Sequence, residues 1–552
     1  MAQRHAPPSE SLAVGWRWLT QGDGPALIAV SLMAFIAYGA HAFNVTPVAD
    51  DWGALVLPDH QYRLQVSVGR WLQAVVWALL DDKVFASSFT VSAFFILNAL
   101  AALLTLKWLS IDGAFNRFVF LGLFLFFPFW AENFAVNQNH VALGLAVLLA
   151  ILSGLSGLIA VDCFARRGSQ VETAKLCAWI LLGALLFSLS ASLNQALAPL
   201  TPMTMLAVGL RRMLGSQEEA RTTKAALTII LAGAVICLLG LLFYAVEVYY
   251  SQKIMNVTAL EGSYRLSNSL IGSLSEAQDT IIGFLDFFSS FLFESTHLFP
   301  LSSKIVFLAA IILSAQAIIL AGIKRKRFGH KAAFIFWCGL FLFGILVLPW
   351  VLGMLREENT YRYRALMPVA MSYAVVIAIA LAWAAPSFIR ALMQIACLVT
   401  IAIFVFEQSA ASNITIINQK RDIAFGSRLV ERMESAPAYQ AWDLSKPVPG
   451  YVIDQRPNDL RRPYGDLAPS RRLRTSLVNC SVLSCVNDQS IHVISMLQSR
   501  RFLIERVWIR DGDDPAIEPI KSYLDRMRPW PHRKSLLVLP DNKLILFMAK
   551  PQ

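Results

Sequence analysis

Val141-Ala-Leu-Gly-Leu-Ala-Val-Leu-Leu-Ala-Ile-Leu-Ser-Gly-Leu-Ser-Gly-Leu-Ile-Ala-Val161 carries no charged residue and no proline. Coiled as a helix, such a run covers the roughly 30 Å hydrocarbon core of a bilayer, which takes about 20 apolar residues. Comparable runs begin near Pro25, Val84, Phe118, Leu176, Ala196, Ala225, Ile305, Ala332, Ala365 and Ala391. The expected fold class is therefore an α-helical polytopic membrane protein of about eleven transmembrane helices. Composition agrees: 56% of the 552 residues are hydrophobic and 15% charged, at a mean hydropathy of +0.54, which excludes a chain that must stay soluble.

The formal charge of +11 does not point to nucleic acid, because much of the surplus sits in short loops beside the apolar runs. Lys107 and Arg117, then Arg166, Arg167 and Lys175, then Arg211, Arg212, Arg221 and Lys224, then Lys324 to Lys331 fall on one side when the runs alternate. That side is expected to be cytoplasmic. An odd number of spans then puts the amino terminus inside and the carboxyl terminus outside the plasma membrane of a bacterium, its inner membrane. The first apolar run lacks a small-residue cleavage site and reads as a retained helix. The domain division is 1–24 as a cytoplasmic segment, 25–408 as the transmembrane core with its outer loops, and 409–552 as a small periplasmic α/β domain. In that last part, short alternating runs Ser535 to Leu539 and Lys543 to Met548 flank Asp541 and Asn542, as in a hairpin. Cys163, Cys177, Cys237, Cys338 and Cys397 lie in or beside apolar runs without metal-ligand spacing, and read as packing residues. Cys480 and Cys485 fall in the outer domain, where a disulfide can persist.

Chemistry-bearing residues gather in the outer stretches. Asp50 and Asp51 follow the first run directly. Two carboxylates this close repel, so one can act as a base near neutral pH, or both can share a divalent cation such as Mg or Mn; a solvated helix boundary is the plainer alternative. Leu64 to Leu80 reads as one amphipathic helix lying at the interface, with Trp71 and Trp77 as headgroup-level anchors. Arg70 beside Trp71 suits a lipid phosphate, because a guanidinium forks phosphate oxygens while its stem lies on the ring; snorkelling is the simpler reading. Phe284 to Phe293 resembles a second surface helix. Arg356, Arg362 and Arg364 oppose the positive-inside rule, as anion-binding residues would. Glu132, Asn133 and Gln138, and the Ser192, Asn194 and Gln195 group, offer amides and acids that fit sugar hydroxyls, or cap helices. His140 reads as a helix-start residue. No zinc motif, Walker loop or glycine-rich nucleotide fingerprint occurs, which argues against a soluble nucleotide-sugar donor.

These elements, in order, resemble those of the GtrII-type membrane glucosyltransferases: Asp50-Asp51 after the first span, Gly69-Arg70-Trp71, Pro128-x-x-x-Glu132-Asn133 with Gln138 beyond, a Ser/Asn/Gln loop before a span, and Arg364-x-Leu-x-Pro368. The resemblance runs over roughly Pro25 to Phe406. It implies a GT-C-like glycosyltransferase core and transfer of a hexose, glucose, from polyprenyl phosphate to a surface glycan such as O-antigen, with inversion. On that resemblance Asp50 or Asp51 is the base, and Arg70, Arg362 or Arg364 holds the phosphate. Trp71 joins Arg70 there, while Glu132, Asn133, Gln138 and Gln195 orient sugar. Leu193-Asn194-Gln195 departs from the pattern, which places an aromatic residue before the glutamine. Three rivals remain at this point, one of them a scaffold protein, which leaves the Asp pair and the arginines that oppose the positive-inside rule unexplained. A polymerase or ligase using pyrophosphate-linked oligosaccharide makes Asp50 and Asp51 dispensable, and a flippase needs ionisable residues at mid-bilayer depth.

Overall fold

The computed structural model describes residues 24–44, 58–80, 86–134, 136, 139–166, 170–215, 219–258, 282–283, 285–286, 289, 301–325, 331–354, 366–442, 448–453, 504–509, 518, 520–524, 526–528, 532–539 and 543–547. The helices are α1 Gly24–Ala42, α2 Pro58–Ser67, α3 Trp71–Leu80, α4 Ser87–Leu109, α5 Ala114–Leu125, α6 Trp130–Phe134, α7 Asn139–Ala165, α8 Gln170–Leu193, α9 Leu200–Gly215, α10 Glu219–Ile254, α11 Leu301–Arg325, α12 Lys331–Met354, α13 Val369–Ile379, α14 Ser387–Glu434 and α15 Lys521–Leu524. Helix α13 ends in a π turn over Ala380–Ala384.

Eight of these helices are long and apolar enough to cross a membrane, among the described residues: α1, α4, α7, α8, α10, α11, α12 and α14. Their outward side chains are apolar. On α1, Ile28, Leu32, Phe35 and Ile36 are exposed while Tyr38 and His41 are buried. That inside-out arrangement suits lipid and not water. The chain is a multi-pass helical membrane protein with a small sheet.

The other three expected spans, starting near Phe118, Ala196 and Ala365, are the shorter helices α5, α9 and α13. A helix of 12 or 16 residues is about 18 to 24 Å long, less than the hydrocarbon core. They are sheathed by the longer helices: Phe118 to Leu125 and Val369 to Leu381 are buried throughout. A fully buried short helix and a lipid-facing span have the same apolar composition, which is why the sequence alone did not separate them. Helix α13 still connects the two ends of the bundle, because Met367 just before it meets Asn133 and Trp383 at its far end lies under Arg211.

Without a strong hydrophobic drive inside lipid, such helices associate through close packing and interhelical hydrogen bonds, each worth about 0.6 kcal/mol. Small residues let them approach. A Cβ on Gly154 of α7 would come within 2.7 Å of the Thr201 carbonyl on α9. Ser153 donates to the Gly183 carbonyl (2.7 Å), Ser190 to Ala146 (2.8 Å) and Thr201 to Ala150 (2.9 Å), stitching α7 to α8 and α9.

Beyond the bundle, β1 Val448–Ile453, β2 Ile504–Ile509, β3 Leu536–Leu539 and β4 Lys543–Phe547 form one sheet in the order β2-β1-β4-β3. β1 is parallel to both β2 and β4, and β3 and β4 are antiparallel, with Leu536 opposite Leu546. Tyr451, Ile520, Met527 and Ile545 make its small core. Helix α14 carries the chain from the membrane to this sheet without a break at residue 408 or 409. Arg432 near its end donates to the His532 carbonyl (3.2 Å), and Trp442 to that of Leu539 (2.8 Å). Residues 1–23, Cys480 and Cys485 lie outside the described residues.

Candidate active site

The expected single interfacial helix Leu64 to Leu80 is two helices, α2 and α3, joined by a tight turn at Val68, Gly69 and Arg70. Gly69 sits at φ +81°, a left-handed conformation that costs an L side chain about 1–2 kcal/mol. A Cβ there would also collide with the Tyr244 hydroxyl. The glycine therefore lets α10 touch the turn, and the amphipathic periodicity, continuous across the break, concealed it. Trp77 is buried in the protein, so its ring does not face lipid headgroups as an anchor's would. Its neighbours on that face, Gln73, Ala74 and Val76, are buried with it.

Polar tethers to Gln195, Glu247, Asn139 and Gln252 hold the hairpin against the bundle. Arg70 Nε donates to Gln195 Oε1 at 2.9 Å. Gln195 Nε2 in turn donates to the Val68 carbonyl (2.7 Å) and to the Tyr244 hydroxyl (2.8 Å). Trp71 Nε1 donates to Glu247 Oε2 (3.3 Å), which also accepts from Ser192 Oγ (3.0 Å). Gln73 donates to Asn139 Oδ1 at 2.6 Å, and Gln252 to the Val66 and Ser67 carbonyls at 3.3 Å each. Gln195 is set by local chemistry: Asn194, extended and ending α8, accepts from the Ala196 amide (3.1 Å), starting the one-turn helix Gln195–Leu197.

Four of the residues picked out in the sequence, Arg70, Trp71, Ser192 and Gln195, thus converge on one patch. Tyr244 and Glu247, one turn apart on α10, complete it. Sequence reading missed both, because they sit in a long apolar run. The available clue was the acid itself: Glu247 is the sole carboxylate in the apolar stretch Thr223–Ile254.

A second set lies beside it. Asn133 is buried and donates to Met367 Sδ (2.9 Å), which joins α6 to the Arg364-x-Leu-x-Pro368 element. His140 is indeed at a helix start and is buried. Its Nε2 lies 3.2 Å from the Phe134 carbonyl, which can only accept, so that nitrogen carries a proton; Nδ1 faces Thr90 Oγ1 at 3.1 Å. The imidazole thereby pins the end of α6, the helix whose backbone carries Glu132. Around it Tyr38, Phe94, Phe95 and Phe134 cluster, Tyr38 and Phe134 stacked with centroids 4.4 Å apart and Phe94 edge-on to Phe134. His41 meets His140 edge-on at 5.5 Å.

Asp50, Asp51, Gln138, Arg362 and Arg364 lie outside the described residues, as do Arg356 and most of Phe284 to Phe293. Among the described residues, no three His, Cys, Asp or Glu side chains come together as a metal site. Asn44, three residues beyond the His41 that meets Phe134, and Leu366, next to Met367, are at the same end of the bundle as Asn133.

The arrangement offers a cation, Arg70, held by a neutral amide; a carboxylate, Glu247, held by two neutral donors; and Tyr244 between them. No curated protein and no solved structure matches the chain. A family model, Glucosyl transferase GtrII, matches residues 39–379, well over half of the 552 and the whole of both polar sets. The sheet lies beyond the match. By that coverage and by the elements it contains, the chain belongs to the GtrII glucosyl transferase family.

Proposed function

We propose that this membrane glucosyltransferase takes glucose from a polyprenyl phosphate and delivers it to a hydroxyl of a surface glycan, such as O-antigen, on the outer face of a bacterial inner membrane. The observation that carries the reading is the convergence of Arg70, Trp71 and Gln195 on α10, at the end of the bundle opposite Arg211 and Arg212. Arg70 is the phosphate-binding group, its direction set by Gln195, which is itself tied to the Val68 carbonyl and Tyr244. Arg362 and Arg364, which precede Met367 in the chain, add charge for the same phosphate. Asp50 or Asp51 accepts the proton of the incoming hydroxyl, and attack opposite the leaving phosphate inverts the anomeric carbon. On this reading the amino terminus is cytoplasmic and the sheet is periplasmic, where it has access to the acceptor glycan.

The test uses membranes containing the full chain and radiolabelled polyprenyl-phosphate glucose. Asp50→Asn and Asp51→Asn are made separately, and one of the two is expected to lose at least about 100-fold in transfer while donor binding persists. Full transfer by both variants removes the catalytic assignment and favours an enzyme that relies on its arginines alone.

A further inference from the structure

We propose that Glu247 is a sugar-recognising residue: its carboxylate accepts hydrogen bonds from the hexose being transferred, while Arg70, across Tyr244, holds the phosphate. This rests on the lipid-phosphate-sugar reading above. A carboxylate within an apolar helix is costly and is normally compensated by a cation or used by a ligand. Glu247 has no cation bonded to it among the described residues; its partners are the Trp71 indole and the Ser192 hydroxyl. Both donate to the same oxygen, Oε2, which orients the group without neutralising it. The other oxygen, Oε1, makes no hydrogen bond among the described residues and is not sealed in the protein.

Neighbouring side chains fit a pyranose. Trp71 presents an indole beside the carboxylate, and an aromatic face packs on the C–H face of a sugar while an anionic oxygen takes its hydroxyls. Gln195 links Arg70 to Tyr244, and Glu247 lies one turn further along α10, so the group carries a cation toward one end and a carboxylate toward the other. A glucosyl phosphate has that polarity, anionic at one end and rich in hydroxyl donors at the other.

The experiment measures binding of two ligands, a short-chain polyprenyl phosphate and its glucosyl ester, to the purified full chain in nanodiscs. Glu247→Gln is expected to weaken the glucosyl ester about tenfold or more, and the bare lipid phosphate less than about twofold. If that variant does not fold, Glu247→Asp, which keeps the charge but withdraws it, is expected to show the same selective loss. Equal weakening of both ligands means that Glu247 only staples the hairpin, and unchanged binding of the ester removes it from the site; either result overturns the inference. Wild-type protein that binds both ligands equally well also overturns it. Wild-type protein that binds neither overturns the lipid-phosphate reading itself, and the two failures are thereby told apart.

Discussion

Two carboxylates in the bundle, one toward each end, are held in opposite ways. Asp162 on α7 meets Arg212 on α9 through two bonds of 2.7 and 3.0 Å, a planar fork in which each charge answers the other. Nearby, Arg211 lies 3.5 Å over the Trp383 ring, and Arg117 pairs with Asp112 at 3.2 Å. These charges are met by groups of the protein itself. Glu247 on α10 has neutral donors instead. A charge-to-charge pair is a finished structural bond, whereas a charge aimed by neutral groups keeps its field for something else. On the proposed function, the difference separates a scaffold end from a working end.

Substitutions at the two ends break or sharpen this contrast. The largest effect is expected from Gly69→Ala, which strains the turn and drives a methyl into Tyr244; transfer should fall about 100-fold or more, since misplacement of about 1 Å at a site has that consequence. Near-normal turnover with the alanine would show that the hairpin tolerates movement and that the site lies elsewhere. Gln195→Ala comes next. It releases Arg70, Val68 and Tyr244 together, and a loss of about 10- to 100-fold is expected in turnover with a much smaller change in thermal stability. Trp71→Phe keeps a ring and removes one donor to Glu247; a loss of about 3- to 10-fold is expected, seen in KM for the donor before kcat. Asp162→Asn should be the mildest in activity, within about twofold, because the pair is partly exposed and worth about 1 kcal/mol or less to the fold, read as a small drop in Tm. An Asp162 variant more damaging to transfer than Gln195→Ala would reverse the assignment of the two ends.

Much of this was legible in the linear sequence. Each apolar run became a helix, and the strands flanking Asp541 and Asn542 appear as Leu536–Leu539 and Lys543–Phe547. Arg70, Trp71 and Gln195 stood out because polar residues beside an apolar run are conspicuous. Glu247 and Tyr244 did not, since each is a single polar group within a long span, and their meaning depends on which helix faces them. The break at Gly69 was hidden for a related reason: the turn is demanded by the approach of Tyr244, 175 positions later in the numbering, and nothing local to the hairpin announces it.

What the amino-acid sequence determined by itself is the solvent and which segments coil into helices within it. The energy of apolar side chains in lipid is a sum over neighbouring residues and needs no knowledge of the fold. Tertiary structure alone decided which helices are sheathed by others and which polar groups meet. Arg70 and Gln195 are 125 residues apart, and Trp71 and Glu247 are 176 apart. A hydrogen bond acts only over about 3 Å, so partnerships at such separations exist only once the helices have packed.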